Sequence, residues 1–131
     1  MRVLPARTAK LATVRADGRP HVAPIWYDVD DDGSIVFNTG ADTVKGRNLA
    51  RTRWAALCVD DDRPPFSFVL LEGPVEISEE PIPLRRWAAR LGGRYMGADQ
   101  AEEFGERNGV SGELLVFLRP ERVTGGADLS D

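Results

Sequence analysis

Residues 34–49 read SIVFNTGADTVKGRNL, and this segment decides where a strand ends and a helix begins. An apolar strand ends in small polar residues and Gly40, and a helix start follows at once. The helix start carries four polar side chains, those of Thr43, Lys45, Arg47 and Asn48. Lysine and arginine are unfavourable at the positive N-terminal end of a helix unless an anion lies nearby. The segment therefore predicts a site for a phosphate or carboxylate group, with a solvated polar helix start as the alternative.

The bulk composition predicts one folded domain. The chain has 131 residues, is 42% hydrophobic and 29% charged, and has a formal net charge of -4. We expect a single domain over residues 1–131, with a core over about 10–124 and an acidic tail over 125–131. The net negative charge argues against a nucleic-acid surface, which needs a dense basic face. The sequence has neither an apolar run near the roughly 20 residues of a membrane span nor a secretory signal, and it predicts a cytoplasmic protein.

The chemically reactive side chains are few. The acidic blocks 28–32 and 60–62 precede turns, which favours solvated carboxylates over a hard-cation site. His21 is the one histidine, so no metal site is predicted, and its imidazole is either packed in a sheet or a substrate contact. Cys58 lies in an apolar run and is expected to be a buried structural thiol. An enzyme with this inventory depends on a cofactor.

The hydrophobic pattern predicts six strands and three short helical segments. The strands are 11–14, 20–29, 34–38, 55–59, 66–77 and 113–118, and the helices are 43–52, 81–91 and 98–107. A bulge is expected at Gly73-Pro74, and Gly92-Gly93 is expected to stop the second helix. This pattern is typical of a mainly β protein, a small closed or split antiparallel barrel with short helices.

Four segments, in their order and spacing, resemble the pyridoxamine 5'-phosphate oxidase-like split-barrel family of flavin and deazaflavin oxidoreductases. They are GRPHVAPIWY (18–27), IVFNTG (35–40), DTVKGRNLA (42–50), and PPFSFV (64–69) with EG at 72–73. The similarity extends over about residues 10–124 and is strongest to the actinobacterial branch that uses coenzyme F420. It implies a split antiparallel β-barrel.

Two departures from the flavin members of that family bear on the cofactor. Those members bind the FMN phosphate with a Ser-Arg-Lys triplet, which here is Thr43-Val44-Lys45 followed by Arg47. They also carry a glutamine where this chain has Phe68. The resemblance therefore favours F420, with FMN as the alternative. It implies hydride transfer from reduced deazaflavin to an unsaturated small-molecule acceptor; the other possibilities are an FMN-dependent oxidoreductase and a non-catalytic barrel that binds a cofactor or haem.

The resemblance also implies site residues and a homodimer with the cofactor groove at the interface. The implied cofactor-binding residues are Val22, Ala23, Pro24, Ile25, Trp26, Asn38, Thr39, Thr43, Val44, Lys45, Gly46, Arg47, Asn48 and Phe68. His21 and Tyr95 are candidate proton donors, with solvent as the alternative. The groove wall or dimer contact has as candidates Trp87, Arg90, Arg94, Tyr95 and Met96; helix packing for Trp87 and solvated charges for the two arginines are the alternatives.

Overall fold

The computed structural model describes residues 7–64 and 66–126. In chain order its elements are β1 (Ala9–Val14), β2 (Pro20–Ile25), β3 (Asp28–Val29), β4 (Ile35–Gly40), α1 (Val44–Thr52), β5 (Trp54–Asp61), β6 (Ser67–Ser78), α2 (Pro81–Met96), a 3-10 turn (Ala98–Gln100), α3 (Ala101–Asn108), β7 (Glu113–Leu118) and β8 (Arg122–Gly126). Neighbouring strands are antiparallel, in the order β2-β1-β5-β6-β7-β4-β3, and β8 pairs with β6. The sheet curls into a half-barrel, so the predicted mainly β, split antiparallel barrel is confirmed.

Two apolar clusters hold the sheet and helices together. The alternating residues of the strands bury one face inside the curl, where Leu11, Phe37 and Leu57 meet Leu49 of α1. On the other face of β4 and β7, α2 packs Leu84 and Trp87 against Val36, Leu115 and Phe117. Full burial of each large apolar side chain contributes about 1.5–3 kcal/mol relative to its exposure. These two layers hold the ends of β2 and β4 in place, next to the turn that connects β4 to α1.

The strand count differs from the prediction, because the described residues form eight strands. The strand expected over 20–29 is divided into β2 and β3, which lie at opposite ends of the sheet order. The chain leaves the sheet at Trp26 and Tyr27, and the N–H of Tyr27 donates to the Tyr95 hydroxyl at 3.1 Å instead of to a strand. The strand β8 was missed because its two glycines resemble a mobile end. Residues 127–131 of the expected tail lie outside the described part of the chain.

The bulge expected at Gly73-Pro74 is wrong, since β6 continues through both residues. The irregularity lies in the opposite segment, where the N–H of Arg119 donates to Pro74 and that of Glu121 donates to Glu72, at 3.0 and 2.8 Å. A side chain at Gly73 would overlap the carbonyl oxygen of Arg119. The glycine is therefore explained by this close approach, and β6 passes from β8 to β7 along one edge.

The helix stop expected at Gly92-Gly93 is also wrong, since α2 extends to Met96. A β-carbon at Gly92 would overlap the side chain of Phe104 on α3. The glycine pair therefore allows two helices to pack closely and does not end the first. No helix in residues 7–64 and 66–126 is long and apolar enough to cross a bilayer.

Candidate functional site

A pocket of 290 Å³ opens where β2 and β4 end and α1 begins. Nine residues line it: Pro24, Ile25, Trp26, Asn38, Thr39, Gly40, Lys45, Asn108 and Glu113. The pairing of β4 with β7 brings Glu113 opposite Gly40, so residues distant in sequence meet at this edge. Its volume is close to the lower end of the range for ligand pockets, about 300–1,000 Å³. A cofactor larger than the pocket would extend beyond it along the surface.

The start of α1 is fixed by Thr43. Its hydroxyl donates to the carbonyl of Gly40 at 2.7 Å and accepts from the N–H of Gly46 at 3.0 Å, as an N-cap residue does. A side chain at Gly46 would overlap the carbonyl oxygen of Gly40, so only glycine allows this first turn to lie against the end of β4. The Thr43 hydroxyl thus holds the helix end in place with both of these hydrogen bonds.

The two cations of the helix start have different surroundings. Lys45 is half-buried and lines the pocket, whereas Arg47 is exposed and lies outside the set of lining residues. Among the ion pairs of residues 7–64 and 66–126, none includes Lys45 or Arg47. The ammonium group of Lys45 and the positive end of the α1 dipole therefore act together on the pocket.

Asn48 points away from the pocket, into the protein. Its side chain is 3% exposed, and its amide nitrogen donates to the hydroxyl of Thr13 on β1 at 3.0 Å. Its carbonyl oxygen accepts from Arg51 at 3.2 Å. Asn48 therefore anchors α1 to β1, and this contact positions the helix that carries Lys45.

Glu113 is a lining residue that the sequence analysis missed. Its Oε1 accepts from the amide of Asn38 at 3.1 Å, and burial raises the pKa of its carboxyl, while Lys45 acts in the opposite direction. The sequence feature that could have identified Glu113 is its charge at the start of the apolar strand β7, directly after the turn at Gly112. Asn108, at the end of α3, was missed as well, since it carries no local motif.

An aromatic group supports the pocket wall at Trp26. Its indole stacks on Tyr95 with 5.0 Å between centroids and also contacts Phe104. The Tyr95 hydroxyl donates to the carbonyl of Arg7 at 2.7 Å and accepts from the N–H of Tyr27. Burial raises the pKa of Tyr27, with a smaller contribution from Tyr95. These contacts tie Tyr95 to the backbone, and it is absent from the lining residues.

His21 and Cys58 lie elsewhere in the sheet. His21 pairs with Thr13 across β1 and β2, and its Nδ1 is buried without a hydrogen-bond partner in the described part of the chain. Cys58 is half-buried on β5, between Lys10 and Leu70 of the neighbouring strands. Neither residue lines the pocket.

The arginines of α2 are paired with a carboxylate. Arg90 Nε lies 2.8 Å from Asp28, and Arg94 lies 3.8 Å from the same carboxyl group. The expectation that Asp28 is a solvated turn carboxylate is therefore wrong, because β3 places it against α2. Trp87 packs in the core under Arg90, whose guanidinium lies 4.5 Å from the indole centroid, and Met96 is exposed.

Six of the implied cofactor residues meet in the pocket: Pro24, Ile25, Trp26, Asn38, Thr39 and Lys45. The others lie outside it: Val22, Ala23, Thr43, Val44, Gly46, Arg47, Asn48 and Phe68. Phe68 lies on β6 opposite Asp60 and Gly126, three strands across the sheet from β2.

The donor set suits one anionic group beside a planar ring. Lys45 offers a charged donor and Asn38 an amide, and Trp26 with Pro24 gives an apolar wall. These groups fit the phosphate and ring of a flavin or deazaflavin. The hydroxyl of Thr39 is buried and lies 3.3 Å from the hydroxyl of Thr43, so it supports the start of α1. No group of three or more His, Cys, Asp or Glu side chains in the described residues is arranged to hold a metal ion.

A protein-family model described as pyridoxamine 5'-phosphate oxidase matches residues 3–124. A pyridoxine/pyridoxamine 5'-phosphate oxidase of Gloeothece citriformis is 38% identical over 87 residues, which cover 63% of this chain and 40% of the relative. A 5a,11a-dehydrotetracycline/5a,11a-dehydrooxytetracycline reductase of Streptomyces rimosus is 38% identical over 55 residues, covering 40% of this chain and 39% of the reductase. The chain thus spans about two fifths of the length of these curated relatives.

Solved structures share the fold. A conserved hypothetical protein of Mycobacterium tuberculosis superposes with a TM-score of 0.81 and 29% identity, covering 95% of this chain and 79% of that one. An F420 reductase superposes with a TM-score of 0.71 and 26% identity, covering 92% of this chain and 90% of the reductase. In both structures the similarity covers more than nine tenths of this chain.

Proposed function

This chain belongs to the pyridoxamine 5'-phosphate oxidase family, and we propose that it is an F420-dependent oxidoreductase of that family. When bound in the pocket, reduced deazaflavin would supply a hydride to an unsaturated organic acceptor, and solvent would supply the proton that completes the reduction. The observation that carries the proposal is the meeting of Trp26, Asn38, Thr39 and Lys45 in one pocket at the start of α1. The similarity to an F420 reductase over 92% of the chain supports the choice of cofactor.

In this proposal the protein contributes binding and orientation. Lys45 and the N-terminal end of α1 hold the cofactor's anionic group, and the exposed Arg47 attracts the acidic tail that extends beyond the pocket. Residues 24–26 lie along the ring, with Trp26 held in place by Tyr95. Thr43 and Asn48 act as positioning residues, because their hydrogen bonds fix the helix that carries Lys45. Trp26 and Pro24 supply the apolar part of the pocket wall.

An FMN-dependent oxidoreductase is the second candidate. The 38% identity to a pyridoxine/pyridoxamine 5'-phosphate oxidase favours it. The pocket suits either cofactor's phosphate, since the same lysine and helix end would face both. The dehydrotetracycline reductase, also 38% identical over its matched segment, supports reduction of an unsaturated acceptor.

Titration with F420 and with FMN, followed by fluorescence, distinguishes the two cofactors. Lys45→Ala should weaken binding of the correct cofactor by about 1.5–3 kcal/mol, the contribution of a charged hydrogen bond. Arg15→Ala, a cation removed from the β1–β2 turn at the far end of β2, is the matched control and should bind like the wild type. Equal affinity in Lys45→Ala and in the wild type would reject the pocket as the cofactor site.

Turnover is tested separately from binding. Oxidation of reduced F420 is followed with a panel of enones, quinones and nitro compounds. Faster oxidation with any acceptor supports an enzyme. Tight F420 binding without acceleration across the panel would instead support a non-catalytic cofactor carrier, and tight FMN binding with FMN-dependent turnover would support the second candidate.

We propose further that the protein is a homodimer that pairs through the outer face of the half-barrel. On this face Val14, Val22 and Trp54 are 47%, 63% and 47% exposed, although all three are large and apolar. The register places them on one side of neighbouring strands, since Val22 pairs with Ala12 and Ala12 pairs with Ala56. An exposed apolar face of this kind favours association with a second copy.

Sedimentation velocity of Val22→Glu tests the dimer. The variant should be monomeric and should bind the cofactor less tightly, because the groove is expected at the interface. Ile82→Glu is the matched control, since Ile82 is 74% exposed on α2 and lies outside this face. A wild-type protein that sediments as a monomer at working concentrations would reject the homodimer.

A further inference from the structure

Glu113 places a carboxyl group inside the same pocket as Lys45. Its Oε1 accepts from Asn38 at 3.1 Å, and a β-carbon built on Gly40 would lie 3.3 Å from its Oε2. The carboxyl therefore lies over the end of β4. The ion pairs of residues 7–64 and 66–126 do not include Glu113.

An anion beside Lys45 would meet this carboxyl group as a like charge. With Glu113 ionised, the lining residues carry one positive and one negative side chain, so the pocket has no net positive charge. With Glu113 protonated, the lysine and the helix dipole face the ligand without opposition. Like charges at close range in a partly buried site disfavour the state in which both are ionised.

We propose that Glu113 determines which ligand charge the pocket accepts, by taking up one proton when an anionic group binds beside Lys45. The proposal rests on the proposed function only in the identity of the natural ligand, since the geometry applies to any anion. The neutral carboxyl then donates a hydrogen bond to the ligand or to a neighbouring oxygen. Ligands without a negative charge enter the pocket with Glu113 ionised.

The other groups that face Glu113 are few. Asn38 comes from β4, Lys45 from α1, Asp42 from the segment between them, and Arg107 lies with Asn108 at the end of α3. The wall from β2 carries no titratable side chain. Burial and Asp42 raise the pKa of Glu113, and Asn38 and Lys45 lower it, with burial the largest influence. The carboxyl of Glu113 therefore takes up a proton at a higher pH than an ordinary glutamate does.

The test uses sulfate, an anion that keeps its charge between pH 5 and 8.5. Amide chemical shifts of Gly40 and Lys45 report binding. In the wild type, the dissociation constant should rise by up to about tenfold per pH unit above the pKa of free Glu113, as one linked proton requires. In Glu113→Gln the constant should be independent of pH and should be lower than the wild-type value at pH 8. Glu103→Gln, an exposed carboxyl on α3, should behave like the wild type.

A second measurement needs no variant. Calorimetry of anion binding in buffers with different ionisation enthalpies counts the protons taken up. We expect close to one at pH values between the pKa of Glu113 in the free protein and its higher pKa in the complex. Sulfate binding without proton uptake, pH dependence that persists in Glu113→Gln, or no shift at Gly40 and Lys45 would each overturn the proposal.

Parallel titration with F420 separates this proposal from the proposed function. Proton-linked sulfate binding together with no affinity for F420 or FMN would refute the function and leave the role of Glu113 standing. F420 binding that depends on Lys45 but takes up no proton and is unaffected by Glu113→Gln would refute the role of Glu113 and leave the function standing.

Discussion

The indole of Trp26 and the phenol ring of Tyr95 lie in nearly parallel planes, 3° apart, with 5.0 Å between their centroids. Trp26 lines the pocket. Tyr95 lies on α2 and packs against Trp26 on the side away from the pocket. The Tyr95 hydroxyl continues this connection to the backbone of Arg7 and Tyr27. The side chain of Tyr95 thus connects α2 to the end of β2 and to the segment before β1.

Tyr95→Phe should lower the free energy of unfolding by about 1–3 kcal/mol, because the N–H of Tyr27 loses its partner. The ring stack should persist, so the near-ultraviolet circular dichroism of Trp26 should be retained. Tyr95→Ala should lose both stability and the dichroism signal, and should also weaken cofactor binding through Trp26. Urea denaturation of the three proteins measures the difference; a Phe variant as stable as the wild type would contradict the role of the hydroxyl.

Thr43→Ala should destabilise the protein by about 1 kcal/mol, within the 0.5–2 kcal/mol range for loss of an N-cap. Thr43→Ser keeps the hydroxyl and should remain close to the wild type. Thermal unfolding of both variants compares them directly. A Thr43→Ala protein of full stability that nevertheless binds cofactor as weakly as Lys45→Ala would show that the hydroxyl contacts the ligand instead of capping α1.

Local pattern predicted most of the fold, and long-range packing explains where it failed. The strands around 11–14, 34–38 and 113–118 have clear alternation and turn signals, and the structure contains them with small shifts at their ends. Glycine was the source of two of the errors. At Gly73 and Gly92 the residue admits a segment that is distant in sequence, which local rules interpret as a bulge or a helix end.

The candidate site was predictable where its residues share a local motif. Asn38, Thr39 and Lys45 belong to one strand–turn–helix segment, and that segment does form the pocket edge. Side-chain direction was less predictable, because Asn48 lies only one helical turn from Lys45 yet points into the protein. Glu113 comes from a strand that follows 73 residues after Gly40 in the chain, and only the β4–β7 register places the two side by side.

Gly92→Ala tests the close packing of α2 and α3. Helix propensity alone would make alanine stabilising by about 1 kcal/mol. The overlap of its methyl group with Phe104 should reverse the sign and lower the melting temperature. In a Phe104→Gly background, which lacks the overlapping β-carbon, Gly92→Ala should destabilise the protein less than it does in the wild type, and a double-mutant cycle measures this difference. A single variant more stable than the wild type would contradict the packing explanation.

Asn48→Ala should destabilise the protein by about 1–3 kcal/mol, since the buried hydroxyl of Thr13 loses its donor. Arg47→Ala, one position earlier on an exposed part of the helix, is the control and should change stability by less than about 0.5 kcal/mol. Chemical denaturation measures both. The opposite pattern, with unchanged stability and weaker cofactor binding in Asn48→Ala, would make Asn48 a direct ligand.

Stability should depend on pH through two carboxyl groups whose pKa values shift in opposite directions on folding. Burial raises the pKa of Glu113 above its unfolded value, so its contribution is complete at low pH and is lost as the pH rises through the folded pKa. Glu113→Gln should therefore gain stability relative to the wild type between pH 4 and pH 7.

Asp32 should show the opposite dependence of stability on pH, because the hydrogen bond from the N–H of Ser34, with Arg119 nearby, lowers its pKa. Asp32→Asn should be less stable than the wild type at pH 7, and the deficit should shrink as the pH falls through the pKa of folded Asp32. Denaturation of both variants at several pH values measures the two trends, and parallel trends in the two variants would contradict the assignment of opposite shifts.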